Sequence, residues 1–391
     1  MKKRRHEVKK GMNRNEYLSI QRLITICEGM EEPRRESGNY QHELTDIFVI
    51  ILVAIICGCE GWDEIWDYAQ SNGEWFSSFL SLANGIPSEA TLRRVFSMLK
   101  PEGVEKVYRE WILPYVGSCM NKQISIDGKT VCGVARASGE ESRLHVVSAW
   151  VKEDGVSFGQ IRTEEKSNEI TAIPQLLDSL DVKGGTVTID AMGCQKAIAD
   201  KIVACKANYV LAVKGNQPTL MNEMKEYFAW AQTDEVERKR LSICTEEEDS
   251  RDRRVSRCIT VSNDISWFED KTLWKELRTF IRVEQTTVKA SGTTKEERYY
   301  ISNLERDALV FANLTRQHWA IENCLHWMLD ATFHEDDSLI YSGHAPENLS
   351  VLRKIAMTML KKAGQPKVSI RRKQRLASYN RDFLQKILRL S

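Results

Sequence analysis

The chain has no apolar run long enough to cross a bilayer. Its longest, residues 47–59, covers 13 residues and contains a glycine, whereas a spanning helix needs about 20. It reads as a buried helix. There is no CxxC pair and no regular framework among the ten cysteines, so a disulfide-stapled secreted scaffold is excluded and reduced thiols in a cytoplasm are expected. The basic start Met1-Lys2-Lys3-Arg4-Arg5 is not followed by the apolar stretch and small-residue cleavage site of a secretory leader. Disorder is excluded too, because 42% hydrophobic and 28% charged residues are the proportions of an ordinary globular protein. A length of 391 residues predicts two or three domains.

Net charge is also nearly absent, at +1, but only in the sum. Residues 1–10 carry six Lys/Arg against Glu7, and residues 353–391 carry twelve against Asp382, which leaves 11–352 at −15. Basic ends on an acidic body fit a protein that binds a polyanion, because neutralising phosphates with Lys/Arg dominates nucleic-acid affinity. Near the C-terminal end, Ile370-Arg371-Arg372-Lys373-Gln374-Arg375-Leu376 and Phe383-Leu384-Gln385-Lys386-Ile387-Leu388-Arg389 interleave apolar and basic residues as a basic amphipathic helix does. That pattern favours nucleic acid over a membrane surface.

Periodicity divides the chain. The first 120 residues read as helical: 44–56, 64–82, 91–98 behind a Ser88 N-cap, and a helix that Pro101 opens and that runs to about residue 112. From residue 123 the pattern changes. Residues 123–127 alternate like a strand, and 144–151 and 156–163 are two more, joined by a turn containing Asp154-Gly155. A helix over 169–180, a strand over 187–190, a helix over 195–204 and a strand over 209–213 complete a mixed α/β sheet. Residues 216–304 turn polar and then β-rich, with strands expected at 258–262, 277–283 and 298–302. One helix then resumes from Asp307 to about Asp330. The expected organisation is a helical domain over 1–120, an α/β core over 121–215 and 305–362, a β-rich insertion over 216–304 and a basic tail over 363–391.

Two aspartates end strands in this scheme: Asp127, before Gly128-Lys129, and Asp190, before Ala191-Met192-Gly193. Ligands gather at the carboxyl ends of strands in open α/β sheets, so the two carboxylates are candidates for one site. The plainer alternative is that strand-end Asp residues cap turns. With a third carboxylate they make a hard-oxygen site for Mg²⁺ or Mn²⁺, and two such ions about 4 Å apart clamp the attacking and leaving oxygens of a phosphodiester displacement. Glu322 is the candidate third. It stands in Arg316-Gln317-His318-Trp319-Ala320-Ile321-Glu322-Asn323-Cys324-Leu325-His326-Trp327, where His318, Glu322 and His326 share one helical stripe. The stripe keeps a zinc hydrolase open as a rival, although no spare acid is placed as its base, unlike HExxH. Histidines packed in a core are the plainer alternative. Lys214 and Asn216 precede a helix opened by Pro218, and a helix N-terminus beside a lysine suits a phosphate, against a simple Gly-Asn turn. Asp330 is an alternative acid at the helix end, while Glu335, Asp336 and Asp337 read as a solvated loop.

The segments Ile126-Asp127-Gly128-Lys129, Thr188-Ile189-Asp190-Ala191-Met192, Val213-Lys214-Gly215-Asn216-Gln217 and His318-Trp319-Ala320-Ile321-Glu322-Asn323 resemble the H-repeat-associated transposases, bacterial insertion-sequence enzymes of the DDE superfamily. So do Gly85-Ile86-Pro87-Ser88, Asp330-Ala331-Thr332-Phe333-His334-Glu335-Asp336 and Ala345-Pro346-Glu347-Asn348-Leu349, and the likeness spans about residues 40–362. It implies a ribonuclease H-like core interrupted by the insertion, an acidic triad of Asp127, Asp190 and Glu322 holding two Mg²⁺ or Mn²⁺ ions, and cutting and joining of DNA at terminal inverted repeats by a synaptic homodimer. Lys129, Lys214, Asn216, Arg253, Arg257 and His318 are the candidate DNA contacts. The chain departs from the family in two places. Thr315, His318 and Leu329 stand where related enzymes carry a tyrosine, an arginine and a lysine around the glutamate. Arg251-Asp252-Arg253 and Val255 stand where a His-Gly-Arg motif and a glutamate are typical, with Arg253 and Arg257 kept. The alternative to an active enzyme is a catalytically lapsed descendant that still binds DNA.

Overall fold

The computed structural model describes residues 14–35, 40–133, 144–163, 169–250, 252–365 and 367–389. The basic stretch 1–10 and Arg251 lie outside them. The chain forms two compact units: a helical one from the residues up to Gly117, the stretch around Val131–Leu144 and those from Met328 onward, and a second from Ser118–Thr130 and His145–Trp327.

The helical unit is built on two helices that are buried almost all round. In Leu44–Ile56 every residue but Thr45 is buried, as a helix with no polar face belongs inside a core; Ala345–Lys362 is buried from Ala345 to Leu360 and takes Glu347, Asn348, Arg353 and Lys354 in with it. The expected helix over 64–82 is divided. Trp62–Ser71 ends where the Asn72 side chain bonds the Tyr68 carbonyl at 2.7 Å, and a single turn, Gly73–Phe76, follows. Ser88 caps Glu89–Met98 by accepting from the Thr91 amide at 3.3 Å. The helix begun by Pro101 runs to Val116, beyond the expected stop, and ends at Gly117 with φ +62°.

The basic segment near the C-terminal end folds into two amphipathic helices of this same unit, Ile370–Tyr379 and Arg381–Leu388, with Phe383, Leu384, Ile387 and Leu388 buried. Several of its cations are held internally. Lys373 donates to the Leu360 carbonyl at 2.8 Å, Arg381 lies 4.2 Å over the Trp75 ring, and Arg389 donates to the Leu18 and Lys362 carbonyls. Glu335, expected in a solvated loop, is instead 1% exposed, because it is drawn in as the counter-charge of Arg353, itself buried, at 3.8 Å. A guanidinium that far inside needs an anion beside it.

The second unit is a mixed α/β fold around one nine-stranded sheet. Its strands are β1 (Gln123–Val131), β2 (Leu144–Val151), β3 (Val156–Thr163), β4 (Thr186–Ile189), β5 (Asn208–Val213), β6 (Ser242–Asp249), β7 (Arg253–Ser262), β8 (Thr279–Lys289) and β9 (Gly292–Ser302), in the order β3-β2-β1-β4-β5-β9-β8-β7-β6. β1, β4 and β5 run parallel, while β2–β3 and the run β5-β9-β8-β7-β6 are antiparallel. The strands after residue 216 therefore extend the sheet of the first five. They follow two helices, Pro218–Thr233 and Glu235–Arg240. β6 is not foreseen from sequence: its second half, Glu246-Glu247-Glu248-Asp249, has residue types depleted in strands. An edge position, paired only to β7, suits such charge.

Candidate active site

Asp127 is not the last residue of its strand, since β1 continues to Val131. The ladder to β4, however, stops at Ile126↔Ile189. Asp127 and Asp190 are thus the next residues along two adjacent parallel strands, at the carboxyl end of their pairing, which is where sequence placed a shared site. Asp190 accepts from the Met192 amide at 3.0 Å, so it caps a turn as well as facing the cavity. Asn216 bonds the Ala191 carbonyl and Gln217 that of Cys194, tying the loop behind Asp190 to the one after β5.

Glu322 arrives from the other side of the sequence, and its placement is built in steps. Asp307 caps the helix Ala308–His318 by accepting from the Val310 amide at 3.0 Å. Ala308, Phe311 and Ala312 pack on Val210, Ile259, Ile281 and Tyr300 of the sheet. At the helix end, His318 Nδ1 meets the Thr188 hydroxyl at 3.0 Å. That hydroxyl also contacts Ser125 Oγ and takes a bond from Gln123 Nε2, which reaches on to the Leu314 carbonyl at 2.9 Å. A buried polar network thereby pins the helix to β1 and β4. Beyond it the helix is not the single α-helix expected: Glu322–His326 is a π turn, after which Trp327–Ala331 is α-helical again. A π turn widens the helix by one residue, and such turns recur at functional sites. His318 turns to Thr188, and His326 Nδ1 comes within 3.5 Å of Asp127 Oδ2.

Asp127, Asp190, His318 and Glu322 line one cavity of about 330 Å³ with Lys214, Lys225 and Arg298. Burial, with the Asp190 and Glu322 carboxylates beside it, pushes the Asp127 carboxyl up to about 7. Burial and Asp190 also raise Glu322, against Arg298 and Lys214, which lower it. Burial pushes the His318 imidazole down to about 4, so it is neutral at physiological pH. Mutually repelling hard-oxygen donors are the set that Mg²⁺ or Mn²⁺ takes, and in chemistry the residues fit such an ion. Among the described residues no group of three His, Cys, Asp or Glu side chains converges tightly enough to hold a metal. The three acids share a cavity without being drawn together, and the histidine stripe forms no site either.

A second space, a trough of about 430 Å³, shares Arg298, Tyr300, Trp319 and Glu322 with the first and adds Arg253, Arg257, Thr315 and Arg316. Both arginines noted in sequence are here, on one face of β7, and Val255 between them is buried. Lys129, half-buried on β1, and Asn216 are not among the residues lining either space. Sequence reasoning missed Lys225, Arg298 and Arg316. Only Arg316 carried a signal, its place in the quoted segment around Glu322.

The transposase DDE-domain family matches residues 124–359, and the family of domains associated with it matches 25–112. Over 95% of both chains the protein is 37% identical to "Putative transposase YncI" of Escherichia coli O157:H7. It is 35% identical to "H repeat-associated putative transposase YhhI" of Escherichia coli (strain K12), over 90% of this chain and 94% of that one. A cryo-EM structure of the piggyBac transposase synaptic complex with hairpin DNA matches at a TM-score of 0.42 and 12% identity, covering 96% of this chain and 83% of that one. With its matching domain spanning more than half its length and relatives of this similarity along nearly all of it, the chain belongs to the DDE-domain transposase family, among the H-repeat-associated members.

Proposed function

We propose that the protein cleaves DNA at the ends of its own insertion sequence and joins the freed ends to target DNA, with Asp127, Asp190 and Glu322 as the acidic triad of a ribonuclease H-like core. The observation that carries this is the meeting in one cavity of three carboxylates from distant parts of the chain, two of them at matching positions on adjacent parallel strands. Two divalent ions, Mg²⁺ or Mn²⁺, would be held by these three residues; when bound they supply Lewis acidity at the phosphoryl oxygens and lower the pKa of the attacking water.

The chain's own groups have separate tasks. The carboxylates provide the oxygen ligands, and the Thr188–His318 bond fixes the helix that delivers Glu322. Lys214, Lys225 and Arg298 surround the acids with positive charge suited to the phosphates of a DNA strand. Arg253, Arg257 and Arg316 extend that surface along the trough. His318, neutral and hydrogen-bonded to Thr188, serves as an orienting group rather than a cation. Two DNA ends have to meet before joining, so the active species is a homodimer acting in the bacterial cytoplasm on terminal inverted repeats. The helical unit is assigned to repeat recognition through its exposed Arg371, Arg372 and Arg375.

The test is strand cleavage of a labelled duplex carrying the flanking inverted repeat, with Mg²⁺ or Mn²⁺, comparing the unmodified protein with Glu322→Gln. Cleavage at the repeat boundary that disappears in the variant is the expected result. Tight binding by both proteins with no cleavage by either would instead identify a DNA-binding descendant whose chemistry has lapsed.

A further inference from the structure

Directly behind Asp127 lies a pair of buried polar side chains that the proposed chemistry leaves without a task. Glu169, first residue of the helix Glu169–Ser179, and His145 on β2 meet at 2.7 Å between Oε1 and Nε2, with side-chain exposures of 6% and 2%. The other ring nitrogen, Nδ1, lies 2.8 Å from the Thr130 hydroxyl on β1. Nε2–H donates to the carboxylate, and Nδ1 shares a hydrogen bond with the hydroxyl, so both ring nitrogens are held.

What this pair presses on is the backbone of Gly128. A Cβ there would lie 2.3 Å from Glu169 Oε1, 2.6 Å from His145 Nε2 and 2.7 Å from the Glu169 carboxyl carbon. No side chain fits, so the main chain next to Asp127 rests against the carboxylate and the imidazole. The place matters, because the ladder to β4 has ended at Ile126. Beyond that residue β1 has lost one of its two neighbours, and something else has to fix its course.

We propose that Glu169 and His145 are a positioning pair: bonded to each other and to Thr130, they hold the Gly128 backbone and so set where the Asp127 carboxylate points. Neither touches the reacting atoms. The inference rests on the acidic cavity being the metal site.

Two substitutions at one residue separate geometry from charge. Glu169→Gln keeps the length and the oxygen that accepts from His145 but loses the charge; Glu169→Asp keeps the charge but is shorter by one methylene. The readout is Mn²⁺ binding to the full-length protein without DNA, followed by electron paramagnetic resonance, with thermal unfolding as the control for folding. Positioning predicts that Glu169→Gln binds Mn²⁺ within about twofold of the unmodified protein, and that Glu169→Asp loses ~10–100-fold, the range for disturbing a group behind a metal ligand. Any pattern in which the Asp variant binds as well as the Gln variant, or better, overturns the proposal. Asp127→Ala is measured alongside. If it abolishes binding while the two Glu169 variants behave alike, only the positioning role falls; if it leaves binding unchanged, the cavity is not the metal site and both readings fall.

Discussion

Acid should weaken this fold at a place set by His318. Its imidazole is half-buried against Thr188 and is pushed down to about 4 from an ordinary 6.5, chiefly by desolvation and in spite of Asp190 nearby. Above pH 6.5 the ring is neutral whether the chain is folded or not, and its contribution to stability is complete. Between 6.5 and 4 the unfolded chain binds a proton that the folded one refuses, so stability falls as pH falls through that window and levels off below it. At about 1.4 kcal/mol per tenfold change in proton affinity, the loss reaches about 3 kcal/mol at pH 4. For a unit of this size that corresponds to roughly 6–12 °C in melting temperature. The assay is urea unfolding of the full-length protein and of His318→Gln at a series of pH values from 7.5 to 4, because glutamine can keep the Thr188 bond and cannot titrate. Contributions from the carboxylates are common to both proteins and cancel to first order in the difference. The two stability curves should converge as pH falls, by about the same 3 kcal/mol. Parallel curves across the window would refute the burial of a neutral His318 and, with it, the account of how Glu322 is delivered.

Two further outcomes are expected. Lys225→Ala, in the cavity wall, should weaken binding to DNA of any sequence and lower the slope of log affinity against log salt by about 1, measured by fluorescence anisotropy at several salt concentrations; an unchanged slope would remove Lys225 from the phosphate contacts. Gly343→Ala should destabilise the helical unit by about 1–3 kcal/mol, since the residue sits at φ +54° with the Ser97 carbonyl oxygen 2.5 Å from where a Cβ would be; calorimetry showing no shift in melting temperature would contradict this.

The β2–β3 hairpin was legible to the residue because two short β-prone runs flank an Asp-Gly turn, a purely local signal. The two aspartates were legible as strand-end acids for a similar reason, although the true end of β1 was not: Gly128 and Lys129 have little strand propensity and are held by tertiary neighbours. β6 was hidden because its acids look like loop until Arg254, Arg257 and Arg316 are placed against them. The π turn at Glu322–His326 has no local signature, since the same residues continue an α-helical pattern. The buried Glu335 is a further case, as nothing in an acidic run announces that one member pairs with a buried arginine 18 positions later. Local periodicity was readable; charge pairs made across the fold were not.

The acidic edge strand has one more consequence. Glu248 lies 2.9 Å from Arg316 and 3.3 Å from Arg257, and Glu246 lies 3.7 Å from Arg316. These carboxylates act as counterions tethered to the chain. A polyanion reaching either arginine has to displace a glutamate that stays within a few ångströms, so each new phosphate contact is offset by a broken ion pair and by repulsion from the carboxylate left beside it. Grip along the trough should therefore be weaker than its number of arginines suggests. It also favours a phosphate arrangement that outcompetes the glutamates in geometry over any passing polyanion, so the strand that closes the sheet screens what the trough accepts.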